Sequence, residues 1–300
     1  MSNPTPQLPE RPTITPVVPS VSFWESVRSA WRKTRSRLAT PIPLIDPTAW
    51  QHATQNYLFM KALGAEENRR LRLIASNFLA RKKIIGASGL VVDEAMRIQI
   101  AAQACILVLE LGVEHFDGWN DIIIYPSQFV PEREIVDEAG VVHTTREALA
   151  GEAWLGGPVI LSYEDVAQPG NPQDAVAGHN VVIHEFAHKL DMRNGGANGF
   201  PPLHKGMSSA IWKQTFMAAY LDFCQRTDRA DAFARRDGGA ALDALPIDPY
   251  ASENPAEFFA VVSEAFFEIP ENVYETYPAV YAQLALFYRQ DPLKRRAIFA

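Results

Sequence analysis

A chain of 300 residues with 47% hydrophobic content can bury a full core, as one large domain or two ordinary ones. Its formal charge of −7 and pI near 5.6 give no overall basic character, which argues against nucleic acid as a direct partner. The two cysteines, Cys105 and Cys224, sit in apolar helical-looking stretches at no metal-binding spacing, and read as buried free thiols of a reducing cytoplasm.

The first 20 residues contain six prolines and no apolar core of the length a signal peptide needs, so residues 1–22 are expected as a disordered tail. Residues 23–40 alternate aromatics with Arg28, Arg32, Lys33, Arg35 and Arg37, the pattern of a basic amphipathic arm. Membrane-surface binding is one use of such an arm; a solvated helix or mobile arm is the reading favoured here. Asp46-Pro47 supplies an N-cap and a first-turn proline for a helix over 47–63, closed by Gly64. Leu71, Ile74, Ala75, Phe78 and Leu79 carry a helical period through 65–82, and 93–111 forms a third, more apolar helix. The most apolar stretch, 98–112, is interrupted by Gln99, Gln103 and Glu110 and is too short to span a bilayer.

The middle of the chain reads as strands: 121–125 (DIIIY) with an exit through Pro126 to Phe129-Val130, then Val141-Val142, then 159–163 (VILSY) after a Gly156-Gly157-Pro158 turn. Residues 159–163 could take up a substrate backbone by strand addition or be an ordinary covered strand, and the pattern leaves both open. Helices follow over 180–191, 206–226, 254–268 and 270–289, with a long polar loop expected over 228–249.

The helix 180–191 (NVVIHEFAHKLD) carries His184, Glu185 and His188 in the spacing H-E-x-x-H. Residues four apart stack on one helix face, so both imidazoles can reach one zinc ion, and Glu185 stands about 100° around the axis, beside the metal's open position. A catalytic zinc holds three protein ligands and one exchangeable water whose pKa it lowers to about 7. A neighbouring carboxylate can then act as general base. The third ligand must come from elsewhere, because His188 is followed by KLDMRN rather than a further histidine motif. His204 follows a flexible loop; Glu257 and Glu264 share a face of the 254–268 helix. Glu257 also fits the third position of a capping box after Asn254, so spacing alone divides evenly between ligand and cap. Asp191 could orient a ligand histidine or end its helix. His179 lies off the motif's face and reads as no ligand.

The stretches NVVIHEFAHKLDMRNG, IIIYPSQFV, GPVILSYEDV and YASENPAEFFAVVSEAFFEIPE together resemble the Mlc titration factor A family of bacterial cytoplasmic zinc metallopeptidases, similar in catalytic core to anthrax lethal factor. The resemblance covers roughly 65–296, about three quarters of the chain. Its block Y-x6-E-x2-A-V-x-S-E matches Tyr250, Glu257, Ala260, Val261, Ser263 and Glu264. It implies Glu257 as third zinc ligand, Tyr250 as the residue donating a hydrogen bond to the oxyanion, and Glu264 as a packing residue or a support to a ligand. It further implies an α+β, zincin-like domain over 41–300, with a small mixed sheet packed on the H-E-x-x-H helix between helical N- and C-terminal parts. The implied activity is hydrolysis of peptide bonds, as an aminopeptidase in preference to an endopeptidase, on a peptide or protein substrate. The implied partner is a transcriptional repressor of the Mlc type controlling a sugar phosphotransferase system. The competing reading is a non-catalytic anti-repressor with a structural or regulatory zinc; an open three-ligand site and the distance of both cysteines from the motif favour chemistry.

Overall fold

The computed structural model describes residues 42–128, 132–136, 142–146, 151–167, 178–237 and 245–299; the proline-rich tail, the basic arm and Phe129-Val130 lie outside these residues. They fall into two compact units. One contains a two-stranded antiparallel hairpin, β3 (Glu132–Val136) with β4 (Val142–Arg146), in which Glu132 faces Arg146 and Val136 faces Val142.

The larger unit is helical around a four-stranded sheet. Its N-terminal layer comprises α1 (Pro47–Thr54), α2 (Leu58–Lys61), α3 (Ala65–Arg81) and α4 (Glu94–Ile106). Asp46 caps α1 by accepting from Thr48 and Ala49 main-chain N–H groups, as expected, but the helix stops at Thr54 and resumes as the short α2. Asp93 caps α4 in the same manner, at Met96.

The sheet runs in the order β1 (Lys83–Gly86), β2 (Asp121–Tyr125), β6 (Val159–Ser162), β5 (Gly151–Ala153). The first three are parallel and β5 is antiparallel to β6. Register places Ile122 beside Val159 and Ile124 beside Leu161, and all four are fully buried, while Ile123 and Ile160 on the other face are half-buried. This period-two burial is why DIIIY and VILS form strands with one face to the core. Of the two readings left open for 159–163, strand addition is corrected and the covered strand holds: β6 is paired on both sides, and among the described residues the strand at that margin is β5.

After α5 (Tyr163–Ala167) comes α6 (Val181–Asp191), every residue of which is buried. A helix covered all round is a central one, and α6 packs on β5, β6, α4 and the later α8 (Pro255–Glu268). The ring of Phe186 is packed among Phe78, Phe116 and Trp119 at centroid distances of 5.6, 5.0 and 5.6 Å. α7 extends over Ser209–Asp237, so the first part of the segment read as a polar loop is helix. Its apolar face, Trp212, Phe216, Ala219 and Phe223, gives way after Thr227 to exposed Asp228, Arg229, Ala232, Phe233 and Arg235 with only Ala230 buried, which is why periodicity missed this part. The expected final helix is two, α9 (Pro270–Thr276) and α10 (Pro278–Tyr288), because Pro278 cannot donate the hydrogen bond that would continue α9; α11 (Pro292–Phe299) ends the unit. Both cysteines are free, Cys105 buried as expected and Cys224 only partly so.

Candidate metal centre

Two helices build the site. Asn180 starts α6 by accepting the Ile183 N–H on its side-chain oxygen at 3.0 Å. Asn254 starts α8 by accepting from Ala256 and Glu257 at 2.9 and 3.1 Å, with Pro255 at the first position. On α8, Glu257, Glu264 and Glu268 are seven and eleven residues apart, so they fall within about 20° of one line along the helix. That line faces α6. Glu257 reaches His188 and His184, Glu264 reaches His184 and Asn180, and Glu268 reaches Asn180, so the two helices run antiparallel along a seam of polar contacts.

At one end of the seam His184 Nε2, His188 Nε2 and Glu257 Oε2 form a triangle with edges of 3.1, 3.0 and 3.2 Å. A tetrahedral zinc with bonds of about 2.0–2.1 Å separates its ligands by about 3.3 Å, so the triangle has nearly the size such an ion needs. The chemistry of the donors agrees. The Glu264 carboxylate is buried, which alone would raise its pKa, yet His184 and His179 hold it below the usual range and therefore ionised. It can only accept, so His184 Nδ1, 2.6 Å from Glu264 Oε1, carries the proton. In the neutral ring His184 Nε2 would present a lone pair to a second carboxylate oxygen 3.0 Å away. Two acceptors at that distance repel unless a proton or a cation lies between them. Burial would likewise raise Glu257, but the hydrogen bonds and charge of the two histidines hold it well below the usual carboxylate range. His184, His188 and Glu257 are the cluster able to hold a metal ion found among the described residues.

Asn254 caps α8 with its own side chain, and the Glu257 carboxylate is turned to the histidines. Glu185 is 5% exposed, with Oε2 lacking a hydrogen-bond partner among the described residues, and burial pushes its pKa up to about 7 against the lowering pull of His184 and His188. β5 lies directly against it: a Cβ on Gly151 would sit 2.6 Å from Glu185 Oε1, so glycine is what permits the approach. Tyr250 lies on a 3-10 turn (Pro249–Ser252) set by the Asp248 side chain, half-exposed, its ring centroid 6.0 Å from that of His184.

The other candidates take different places. His204 Nε2 is bound to the Phe287 carbonyl at 2.6 Å and is not part of the cluster. His179 pairs with Glu264 at 3.3 Å; burial would lower its pKa, but that carboxylate raises it to about 9. Asp191 Oδ2 accepts from the Asn198 and Gly199 N–H groups at 2.6 and 2.7 Å, tying down the chain that leaves α6; its Oδ1 and His188 Nδ1 are buried without partners among the described residues. Sequence reasoning did not find β1, β5 or the roles of Asn180 and Glu268. β5 is three residues long, below any useful periodicity, and the glycine at its start was its only signal.

Comparison with known proteins agrees with this geometry. The chain is 37% identical over 256 residues to Mlc titration factor A of Yersinia pestis strain Pestoides F, and equally so to that of Yersinia pseudotuberculosis serotype O:1b, covering 84% of this chain and 88% of each relative. The family model described as glucose-regulated metallo-peptidase M90 matches residues 28–289, which include α6, Tyr250 and the whole of α8. With a family match over most of its length and an H-E-x-x-H helix closed by a glutamate from a second helix, the chain belongs to the glucose-regulated metallo-peptidase M90 family.

Proposed function

We propose that the protein is a zinc-dependent peptidase in which His184, His188 and Glu257 hold one Zn2+ per chain, Glu185 is the general base and Tyr250 assists the oxyanion. The observation that carries this reading is the 3.0–3.2 Å triangle of two imidazoles and a carboxylate with the Glu185 carboxylate buried beside it, one oxygen without a partner among the described residues. Bound there, zinc would polarise the scissile carbonyl and make a water acidic enough to attack at neutral pH.

The protein's own groups do the rest. Glu185, made a better proton acceptor by burial, takes a proton from the attacking water and returns it to the departing amine. Glu264 fixes the ring plane and tautomer of His184, so its Nε2 lone pair points into the triangle. Tyr250, whose half-exposed ring is centred 6.0 Å from that of His184, donates its hydroxyl proton to the developing oxyanion in this reading. The substrate main chain pairs with β5, the strand that bears on Glu185.

The preference for trimming N-termini rests on family likeness, and peptides with free and blocked N-termini test it. The relatives' name supports an Mlc-type repressor as a second, protein partner. No helix among the described residues is long and apolar enough to cross a membrane, and two free thiols accord with a cytoplasmic setting. The deciding experiment measures zinc content and peptide turnover on one sample before and after chelation, with Glu185→Gln alongside. About one zinc per chain, turnover lost to chelator and restored by zinc, and a fall of at least about 100-fold in Glu185→Gln with zinc retained are expected. A Glu185→Gln protein as fast as wild type refutes the mechanism; full zinc with no turnover by wild type favours the anti-repressor reading.

A further inference from the structure

Lys189 follows His188 on α6 and is 4% exposed. An ammonium group taken out of water needs acceptors, and it has two: the Trp154 carbonyl at 2.6 Å and the Gly157 carbonyl at 2.8 Å, with the Trp119 ring centroid 4.6 Å away. The two carbonyls flank the turn between β5 and β6, which is closed by Gly157 N–H donating to Trp154 O at 3.0 Å and passes through Gly156 at φ +63°.

The next bond fixes which way β5 faces. Trp154 N–H donates to Pro158 O at 3.2 Å. In an antiparallel ladder main-chain groups alternate between the two sides, so Trp154 and Glu152 point to β6 while Gly151 and Ala153 point their N–H and C=O groups to the outer margin of the sheet. That margin is held at two points. Gly151 rests on Val181 and Glu185 of α6 at one end, and Lys189 of the same helix grips the turn at the other.

We propose that Lys189 is a positioning residue for peptide binding: by tying the Trp154 and Gly157 carbonyls to the metal helix, it sets the outer edge of β5 at the height where a peptide main chain must pair to reach the site. This inference rests on the peptidase reading above. Lys82 is its natural control. It is equally buried, at 5%, lies 3.6 Å from the same Trp119 ring, and donates to two carbonyls, but these belong to Phe116 and Trp119, away from β5.

The test compares Lys189→Met, Lys189→Gln and Lys82→Met in the full-length zinc-loaded protein, reading steady-state kinetics on an unmodified peptide, zinc content, and amide exchange across residues 151–162. For Lys189→Met, KM rises about tenfold or more while kcat moves by less than about threefold and zinc stays at about one per chain. Exchange quickens at Trp154 and Gly157 but not within α6. Lys189→Gln, which keeps donor hydrogens, recovers part of the KM and serves if the Met variant does not fold. Lys82→Met melts earlier than wild type with KM within about twofold. An unchanged KM and unchanged exchange in Lys189→Met overturn the inference, as does an equal KM rise in Lys82→Met, which would mark general loosening. A wild-type protein that cleaves no peptide brings down the peptidase reading itself, and this inference with it.

Discussion

Replacing Glu264 by alanine tests whether the seam between the two helices holds the metal site. Its carboxylate, 3% exposed, accepts from His184 Nδ1 at 2.6 Å, from the Asn180 main-chain N–H, and from His179 at 3.3 Å. Alanine leaves two buried donors, on His184 and Asn180, without the acceptor they share. Each costs about 1–3 kcal/mol, so the metal-free protein should lose about 2–6 kcal/mol, less whatever a water entering the vacated space restores. His184 is also released to rotate or shift its proton to Nε2, where it no longer serves a cation. Removal of such a support weakens metal binding by about 10–100-fold, or about 1.4–2.7 kcal/mol. Glu264→Gln keeps an acceptor oxygen but not the charge, and should weaken zinc by less than about tenfold. Zinc affinity by competition with a chromogenic chelator, and melting of the metal-free proteins, separate the two effects. A folded Glu264→Ala protein that binds zinc within about twofold of wild type would refute the reasoning, because the ring would then need no partner.

Phe186 lies on the far side of α6 from the histidines with no exposure, and Phe186→Ala should cost about 3–5 kcal/mol of unfolding free energy in urea titrations. A loss under about 1 kcal/mol would mean that the aromatic cluster does not anchor the metal helix. Glu268 supplies a pH prediction. Burial, with Glu264 nearby and only partly offset by the Asn180 hydrogen bond, pushes its carboxyl up to about 7 from 4.5. The folded state therefore binds a proton that the unfolded state has lost between these values, so this group's contribution to stability falls as pH rises from about 4.5 to about 7 and stays low above that. Glu268→Gln should stabilise the protein at pH 8 by up to about 3 kcal/mol and leave it unchanged at pH 4. Equal melting shifts at both pH values would show that Glu268 is not titrating in the fold.

The metal helix was legible because its constraint is local. His184, Glu185 and His188 need only the rise and twist of an α-helix to share a site, and Asn254-Pro255 marks the start of the second helix through contacts within three residues. The apolar alternation in 121–125 and 159–162 was readable for the same reason. Glu257 was ambiguous because the same residue at the same helical position satisfies either a cap or a cluster, and the choice depends on where a helix 69 residues away is placed.

What remained hidden depends on packing between distant segments. β5 is a strand only because β6 and α6 flank it, and among the described residues the last place in the sheet passes to it rather than to β6 by topology, which no local pattern carries. Glu264 and Glu268 look like any acidic residues on a helix until α6 lies antiparallel against them, and Lys189 looks like a surface lysine until the turn at Trp154 and Gly157 closes over it. Ligand type and helical spacing are properties of neighbouring residues, so the chemistry that can be assembled is already written along the chain. Which charged groups are taken out of water and paired is a matter of packing, because the cost of burying them, and the partners that offset it, exist only once remote segments are in contact.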